Sequence, residues 1–141
     1  MTTAEEDIAR LVGHPLPAVV VATLASYPAE LVALAKNDGF APRECWLYPD
    51  LGTLVAQNEE VRAEDIWTEE GPWPADHLDI GADIGGDRFA LVLAGDNAGA
   101  VLRLDTDVGR FEPCAPSFDA YVAALLRVAR GERKSLDDAL R

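Results

Sequence analysis

Four aspartates near the middle of the chain carry the carboxylates best placed to do chemistry. They are Asp76, Asp79, Asp83 and Asp87, and the last two flank Gly85-Gly86. Carboxylates on a flexible loop can bind a hard cation, and a small metal-dependent hydrolase would use such a site. The spacing, however, lacks the alternating acids and closing glutamate of a calcium-binding loop. The pattern therefore favours a turn in which Asp83 and Asp87 bind backbone amides and one glycine adopts a positive φ.

Nucleophilic catalysis would need a serine or cysteine next to a histidine. The chain has two histidines, His14 and His77, and no serine or cysteine lies in a G-x-S-x-G setting. Cys114 could meet His77 only through the fold, and free cysteines are commonly small buried hydrophobic residues. The central glycines precede a strand, whereas a nucleotide-binding loop opens a helix. The sequence thus predicts no catalytic residue and no bound metal, nucleotide or other cofactor.

Charge is the strongest compositional signal. The chain has 25 acidic and 12 basic residues, a formal net charge of −13, and residues 59–87 hold ten acids and one arginine. A concentrated negative field repels nucleic acid and anionic membranes, and it attracts basic partners. It also keeps a protein soluble, which is the simpler explanation. If the field has a partner, we expect a basic protein.

Trp67 lies among four acids in the segment 64–70. Interface cores favour large aromatic side chains, and an acidic rim would select a basic partner. In the alternative, Trp67 folds into the core and the acids remain solvated. We predict that a protein-binding surface, if present, includes Glu64, Asp65, Trp67, Glu69, Glu70 and Asp76.

Apolar periodicity and turn residues predict an α+β domain. Apolar residues at helical spacing, with capping residues, predict helices at 4–12, 17–27, 29–36, 51–62 and 118–130. Alternating or aromatic-rich runs between turn signals predict strands at 44–48, 78–80, 89–93, 100–104 and 110–112. We expect a central antiparallel meander of about four to six strands, packed against N-terminal and C-terminal helices. Residues 1–131 form the domain, and residues 132–141 form a tail or a short helix.

Location is predicted from what the sequence lacks. No apolar run approaches the roughly 20 residues that cross a bilayer, and the first residues are acidic where a secretory signal is basic. We therefore expect a soluble cytoplasmic protein. Trp73-Pro74 is predicted to pack its indole on the helices, because tryptophan is highly buried on average.

The order of these elements resembles the SUKH superfamily over roughly residues 11–130. The resemblance is carried by Leu16-Pro17, Tyr27, Asn58, Trp73-Pro74, Ile80-Gly81, Asp83, Gly85-Gly86-Asp87, Phe89, Gly99-Ala100-Val101 and Ser117-Phe118-Asp119. It implies an α+β fold in which residues such as Trp73, Pro74, Ile80, Gly81 and Phe118 belong to the scaffold. It also implies a non-enzymatic protein-binding role: bacterial members are immunity proteins that neutralise toxins, and eukaryotic members resemble regulatory scaffolds. The acidic segment before Trp73 and the segment 29–40, which is more continuously helical than in the family, depart from the family pattern.

Overall fold

The computed structural model describes residues 3–32, 46–63, 66, 68–69, 71–83 and 85–140. Within them, helices pack on one four-stranded antiparallel sheet, which confirms the predicted α+β fold. The helices are α1 (Thr3–Val12), α2 (Ala18–Ala25), α3, whose described part is residues 29–32, α4 (Leu51–Ala63), α5 (Phe118–Ala129) and α6 (Leu136–Leu140). The strands are β1 (His77–Ala82), β2 (Arg88–Val92), β3 (Val101–Asp105) and β4 (Arg110–Ala115). The rest of the predicted helix at 29–36 lies outside the described residues.

Local capping chemistry sets the ends of several helices. Asp50 precedes α4 and its Oδ1 accepts a hydrogen bond from the Thr53 amide at 2.7 Å. Ser117 caps α5 in the same way, because its Oγ accepts from the Ala120 amide at 3.0 Å. Gly13 and Gly131 follow α1 and α5 with φ of 73° and 77°, which glycine adopts without strain. The sequence signals for these boundaries were therefore correct.

The sheet is a simple meander in the order β1-β2-β3-β4. Two irregularities interrupt its ladders. Between β1 and β2 the pairing passes from Asp79 to Gly81 and leaves Ile80 without a partner on β2. Between β3 and β4 it passes from Ala115 to Pro113 and leaves Cys114 without a partner on β3. Each is a β-bulge, which bends its strand and re-aims the side chains around it.

Side chains from both faces of the sheet are buried. Phe89 and Leu91 of β2 join a large core with α1, α2, α4, α5 and α6, whereas Ala90 between them joins a smaller core. Because side chains alternate along a strand, the two cores lie on opposite faces. The smaller core contains Val61, Trp73 and Leu104, with Phe111 packed against it. Among the described residues, Trp73 shares this core with Ala90, Leu104 and Phe111 of the sheet and with Val61 of α4. Trp73 therefore packs with the sheet as well as with the predicted helical layer.

The predicted strand at 44–48 is wrong for residues 46–48, which form a bend, and residues 44–45 lie outside the described part. The backbone of this segment bonds to side chains instead of to a ladder. Tyr121 and Tyr27 donate from their hydroxyls to the carbonyls of Trp46 and Leu47. The Tyr48 amide also donates a main-chain hydrogen bond to the Ile80 carbonyl of β1, at 3.0 Å. The aromatic content reflects burial, because Trp46 stacks on Phe89 of β2 and Tyr48 is fully buried.

The C-terminal segment contains a short helix, α6, as one of the two alternatives predicted. Leu136 is 1% exposed and belongs to the large core together with Ala139. The helix contacts α5 and β4. Residues 136–140 are thus packed on the domain. None of the helices in the described part of the chain is long and apolar enough to cross a membrane.

Candidate functional site

The predicted protein-binding residues fall partly outside the described structure. Glu64, Asp65, Trp67 and Glu70 lie outside the described residues. Glu69 is exposed and forms a two-bond ion pair with Arg110, at 3.0 and 3.2 Å. This pairing lowers the pKa of the Glu69 carboxyl. The Glu69 amide also donates to the Gly109 carbonyl at 2.8 Å, so Glu69 is held against the β3–β4 turn.

Asp76 lies at the start of β1 beside the smaller core. Its Oδ1 is 2.9 Å from Nδ1 of His77, and its side chain is 40% exposed. The His77 ring packs edge-on against Phe111, and so does the Trp73 indole. Trp73 Nε1 donates to the His77 carbonyl at 2.7 Å. This aromatic cluster ties β1 to β4, which supports a scaffold role for Trp73.

Asp79 lies at the centre of a buried polar network. Its side chain is fully buried, accepting from the Tyr48 hydroxyl at 3.0 Å and from Arg88 Nη1 at 2.6 Å. Burial raises the pKa of Asp79 to about 6, and the charge and hydrogen bonds of Arg88 oppose that rise. Burial also raises the pKa of Tyr48, so its phenol stays protonated and donates to the carboxylate. The alternation of Leu78 and Ile80 with polar neighbours gave no indication of this buried network.

Asn58 of α4 holds the backbone of the same strand. Its side chain donates to the Asp79 carbonyl at 2.9 Å and accepts from the Asp79 amide at 2.9 Å. Arg62, one turn later, donates to Asn58 Oδ1 at 2.9 Å and to the carbonyls of Ala75 and His77 at 3.0 Å. Asn58 and Arg62 therefore fasten α4 to the edge strand β1, which gives the Asn58 of the family resemblance a structural function.

Asp83 braces the β1–β2 turn, as the sequence predicted. Among the described residues, the Asp87 carboxylate binds no local amide and accepts instead from the Thr106 amide of the β3–β4 turn at 3.1 Å. Asp83 Oδ1 accepts from the Asp87 amide at 3.0 Å. Gly86 has a φ of 91°, a conformation that favours glycine. The structure adds Arg103, whose Nη2 and Nε bind Asp83 at 2.8 Å and Asp87 at 2.9 Å. The guanidinium also lies over the Phe89 ring at 5.6 Å.

The four aspartates do not converge on one point. Asp76 contacts His77, Asp79 contacts Arg88, and Asp83 and Asp87 share Arg103. Within the described part of the chain, no three histidine, cysteine or acidic side chains are grouped so that they could hold a metal ion. The geometry thus gives the metal-dependent hydrolase no specific support.

An acidic cleft that the sequence analysis missed opens between the sheet and α6. Its volume is about 480 Å³. Four acids line it, from the β1–β2 turn, β3, β4 and α6, together with Arg103 and Cys114: they are Asp87, Asp105, Glu112 and Asp137. Because these acids are far apart in the sequence, only the packing of α6 against β4 brings them together. We refer to this region as the acidic cleft.

Cys114 is partly buried at one side of the acidic cleft. Burial raises its thiol pKa to about 11, so the thiol is protonated at neutral pH. His77 instead contacts Asp76 and Phe111. A protonated thiol is a weak nucleophile, which fits the expectation of a small hydrophobic residue better than a reactive cysteine.

No protein-family model, curated protein or solved structure matches the chain. The arrangement can be judged by its chemistry. It offers a buried network around Asp79, a partly buried network around Arg103, and an open acidic cleft beside them. Carboxylates in such a cleft can accept hydrogen bonds and ion pairs from lysine or arginine side chains.

Proposed function

We propose that this protein is a non-enzymatic protein-binding module, an immunity protein that binds and neutralises a basic bacterial toxin through an acidic surface. The resemblance to the SUKH superfamily motivates the toxin. The acidic surplus motivates the basic partner. An intracellular regulatory scaffold with the same fold is the alternative that the resemblance also allows.

The observation that carries the proposal is that four arginines bind partners within the same chain. Arg88, Arg103 and Arg110 bind carboxylates of the same chain, at 2.6 to 3.0 Å. Arg62 donates to main-chain carbonyls. These cations neutralise the buried or neighbouring acids, while the chain retains a net charge of −13. The negative electrostatic field of this excess charge therefore extends into solvent, where it can accelerate association with a basic protein.

The test uses the purified chain and the catalytic domain of a toxin encoded beside its gene. We expect a tight complex by calorimetry and loss of toxin activity at equimolar ratio. Raising the ionic strength should weaken the complex by slowing association, because exposed charges are screened beyond about 8 Å at physiological salt. A complex that leaves toxicity intact would favour the scaffold. If the toxin neither binds nor loses activity, the immunity proposal is refuted.

A further inference from the structure

We propose that a basic segment with an apolar anchor docks on β3 and β4, where the acidic cleft adjoins an apolar depression. The inference rests on the proposed function and deepens it, because it names the surface and the chemistry of the partner segment. It moves the contact away from the acidic segment 64–70 that the sequence favoured. The two regions together are called the docking surface below.

The apolar depression lies at the end of the β3–β4 hairpin where the ladder is irregular. Its volume is about 340 Å³, and its lining is largely apolar: Ala100, Val101, Leu102, Ala115 and Pro116, with Pro113 and Cys114 at its boundary. Such a depression takes a side chain such as leucine or the methylene stem of lysine. Buried apolar anchors supply most of the affinity in protein interfaces.

Pro113 and Cys114 line both regions and so join them. The β-bulge is the cause of this junction. Because pairing passes from Ala115 to Pro113, Cys114 is the extra residue of β4 and has no partner on β3. A bulge bends its strand and changes the direction of neighbouring side chains. This bulge lies between the depression and the acidic cleft. One extended segment can therefore contact both regions.

Charge decides which occupant fits. Glu112 and Asp137 are exposed on the acidic cleft, and Asp105 is half-buried there. Arg103 is the cation among the lining residues, and its Nε and Nη2 already bind Asp87 and Asp83. A segment with lysine or arginine would meet carboxylates, whereas an acidic segment or a nucleic acid would meet like charge. Charge complementarity thus selects a basic segment over the other occupants.

Peptides of stated composition test the surface without the natural partner. The probes are a short lysine–leucine peptide, an all-lysine peptide of equal length and a glutamate–leucine peptide, each titrated into the ¹⁵N-labelled full chain. We expect the lysine–leucine peptide to bind most tightly and to shift the amides of Leu102, Cys114 and Leu140. The all-lysine peptide should bind more weakly, and the glutamate–leucine peptide should not bind. Equal binding of both lysine peptides, or shifts spread over the whole surface, would overturn the proposal.

Two matched double variants distinguish the effect of acids on the docking surface from the effect of the total net charge. Glu112→Gln with Asp137→Asn removes two acids from the docking surface. Glu6→Gln with Glu59→Gln removes two exposed acids from α1 and α4, and Glu6, like Asp137, lies in a first helical turn. We expect the first pair to weaken the lysine–leucine peptide about fivefold, since exposed charge pairs contribute about 0.5 kcal/mol each. The second pair should leave its affinity nearly unchanged, and equal loss in both variants would refute the local site.

The same variants distinguish this inference from the proposed function. If the toxin binds the wild-type chain and the Glu112→Gln, Asp137→Asn variant equally well, the docking surface is wrong and the immunity function stands. If the variant weakens the peptide but no toxin binds the wild-type chain, the surface stands and the immunity function fails. Thermal unfolding of both variants checks that the changes leave the fold intact.

Discussion

Arg88 Nη1 lies 2.6 Å from Asp79 Oδ2, and the two residues belong to the neighbouring strands β1 and β2. The carboxylate is fully buried and the Arg88 side chain is 13% exposed. Burying a charge costs free energy that its partner only partly restores. The pair connects Tyr48 to the β1–β2 hairpin. The titration of Asp79 can be followed as a change in the unfolding free energy.

Acid should stabilise this protein through Asp79. Burial raises its pKa from the ordinary 3.8 to about 6, so between these values the folded state binds more protons than the unfolded state. The contribution of Asp79 to the unfolding free energy is therefore largest below about pH 4 and is lost as pH rises to about 6, a change of at most about 3 kcal/mol. Urea unfolding across this range measures it. Asp79→Asn should flatten the dependence of the unfolding free energy on pH. Parallel pH profiles for the variant and the wild type would contradict the raised pKa of Asp79.

Adjacent residues of α4 should respond in opposite ways. Asn58→Ala removes both hydrogen bonds to the Asp79 backbone and should lower the unfolding free energy by about 2 kcal/mol. Gln57 is also buried, but its Oε1 has no hydrogen-bond partner among the described residues. Gln57→Met should therefore be neutral or stabilising, because it removes an unsatisfied polar group. Chemical denaturation of the two variants tests this, and a larger loss in Gln57→Met would show that the Asn58 bonds are not what fastens α4.

Arg103→Met should destabilise the sheet. It leaves Asp83, which is 6% exposed, without its ion-pair partner, and we expect a loss of about 2–4 kcal/mol. The control is Arg110→Met, which breaks an exposed pair with Glu69 and should change stability little. Melting temperatures of both variants give the comparison. Similar small losses would mean that Asp83 finds other partners in the turn.

Leu136→Ala should show that the C-terminal helix belongs to the folded domain. Leu136 is 1% exposed, and truncating such a residue costs about 2–5 kcal/mol. Arg133→Ala changes an exposed residue of the same segment and should stay within about 0.5 kcal/mol. Urea unfolding distinguishes them. An unchanged midpoint for Leu136→Ala would indicate a dispensable tail.

Local signals in the sequence were sufficient for most of the architecture. The Ser117 cap, the glycine after α5 and the Asp83–Asp87 turn each depend on hydrogen bonds within a few residues, so their pattern is visible in the sequence. The meander follows because each strand pairs with the next one along the chain. These features confirmed the predicted α+β fold.

Features made by distant residues could not be predicted. Trp46–Tyr48 have the composition of a strand, but their carbonyls bind tyrosines of other segments. Asp79 alternates like a solvated residue, but its buried carboxylate binds Tyr48 and Arg88, and its backbone binds Asn58 of α4. The acidic cleft combines acids from both halves of the sheet and from α6. Each depends on tertiary packing, which periodicity does not encode.

The two bulges lie on β1 and β4, which are the outer strands of the sheet. Exposed outer strands are templates for edge-to-edge aggregation, and bulges and proline on such strands block it. At the β1 bulge, the Ile80 carbonyl accepts a hydrogen bond from the Tyr48 amide. On β4, Pro113 has no amide hydrogen to donate. Neither edge offers a regular row of donors and acceptors to another chain. We therefore expect concentrated solutions to resist fibril growth, and any partner to be recognised through side chains and not by adding a strand.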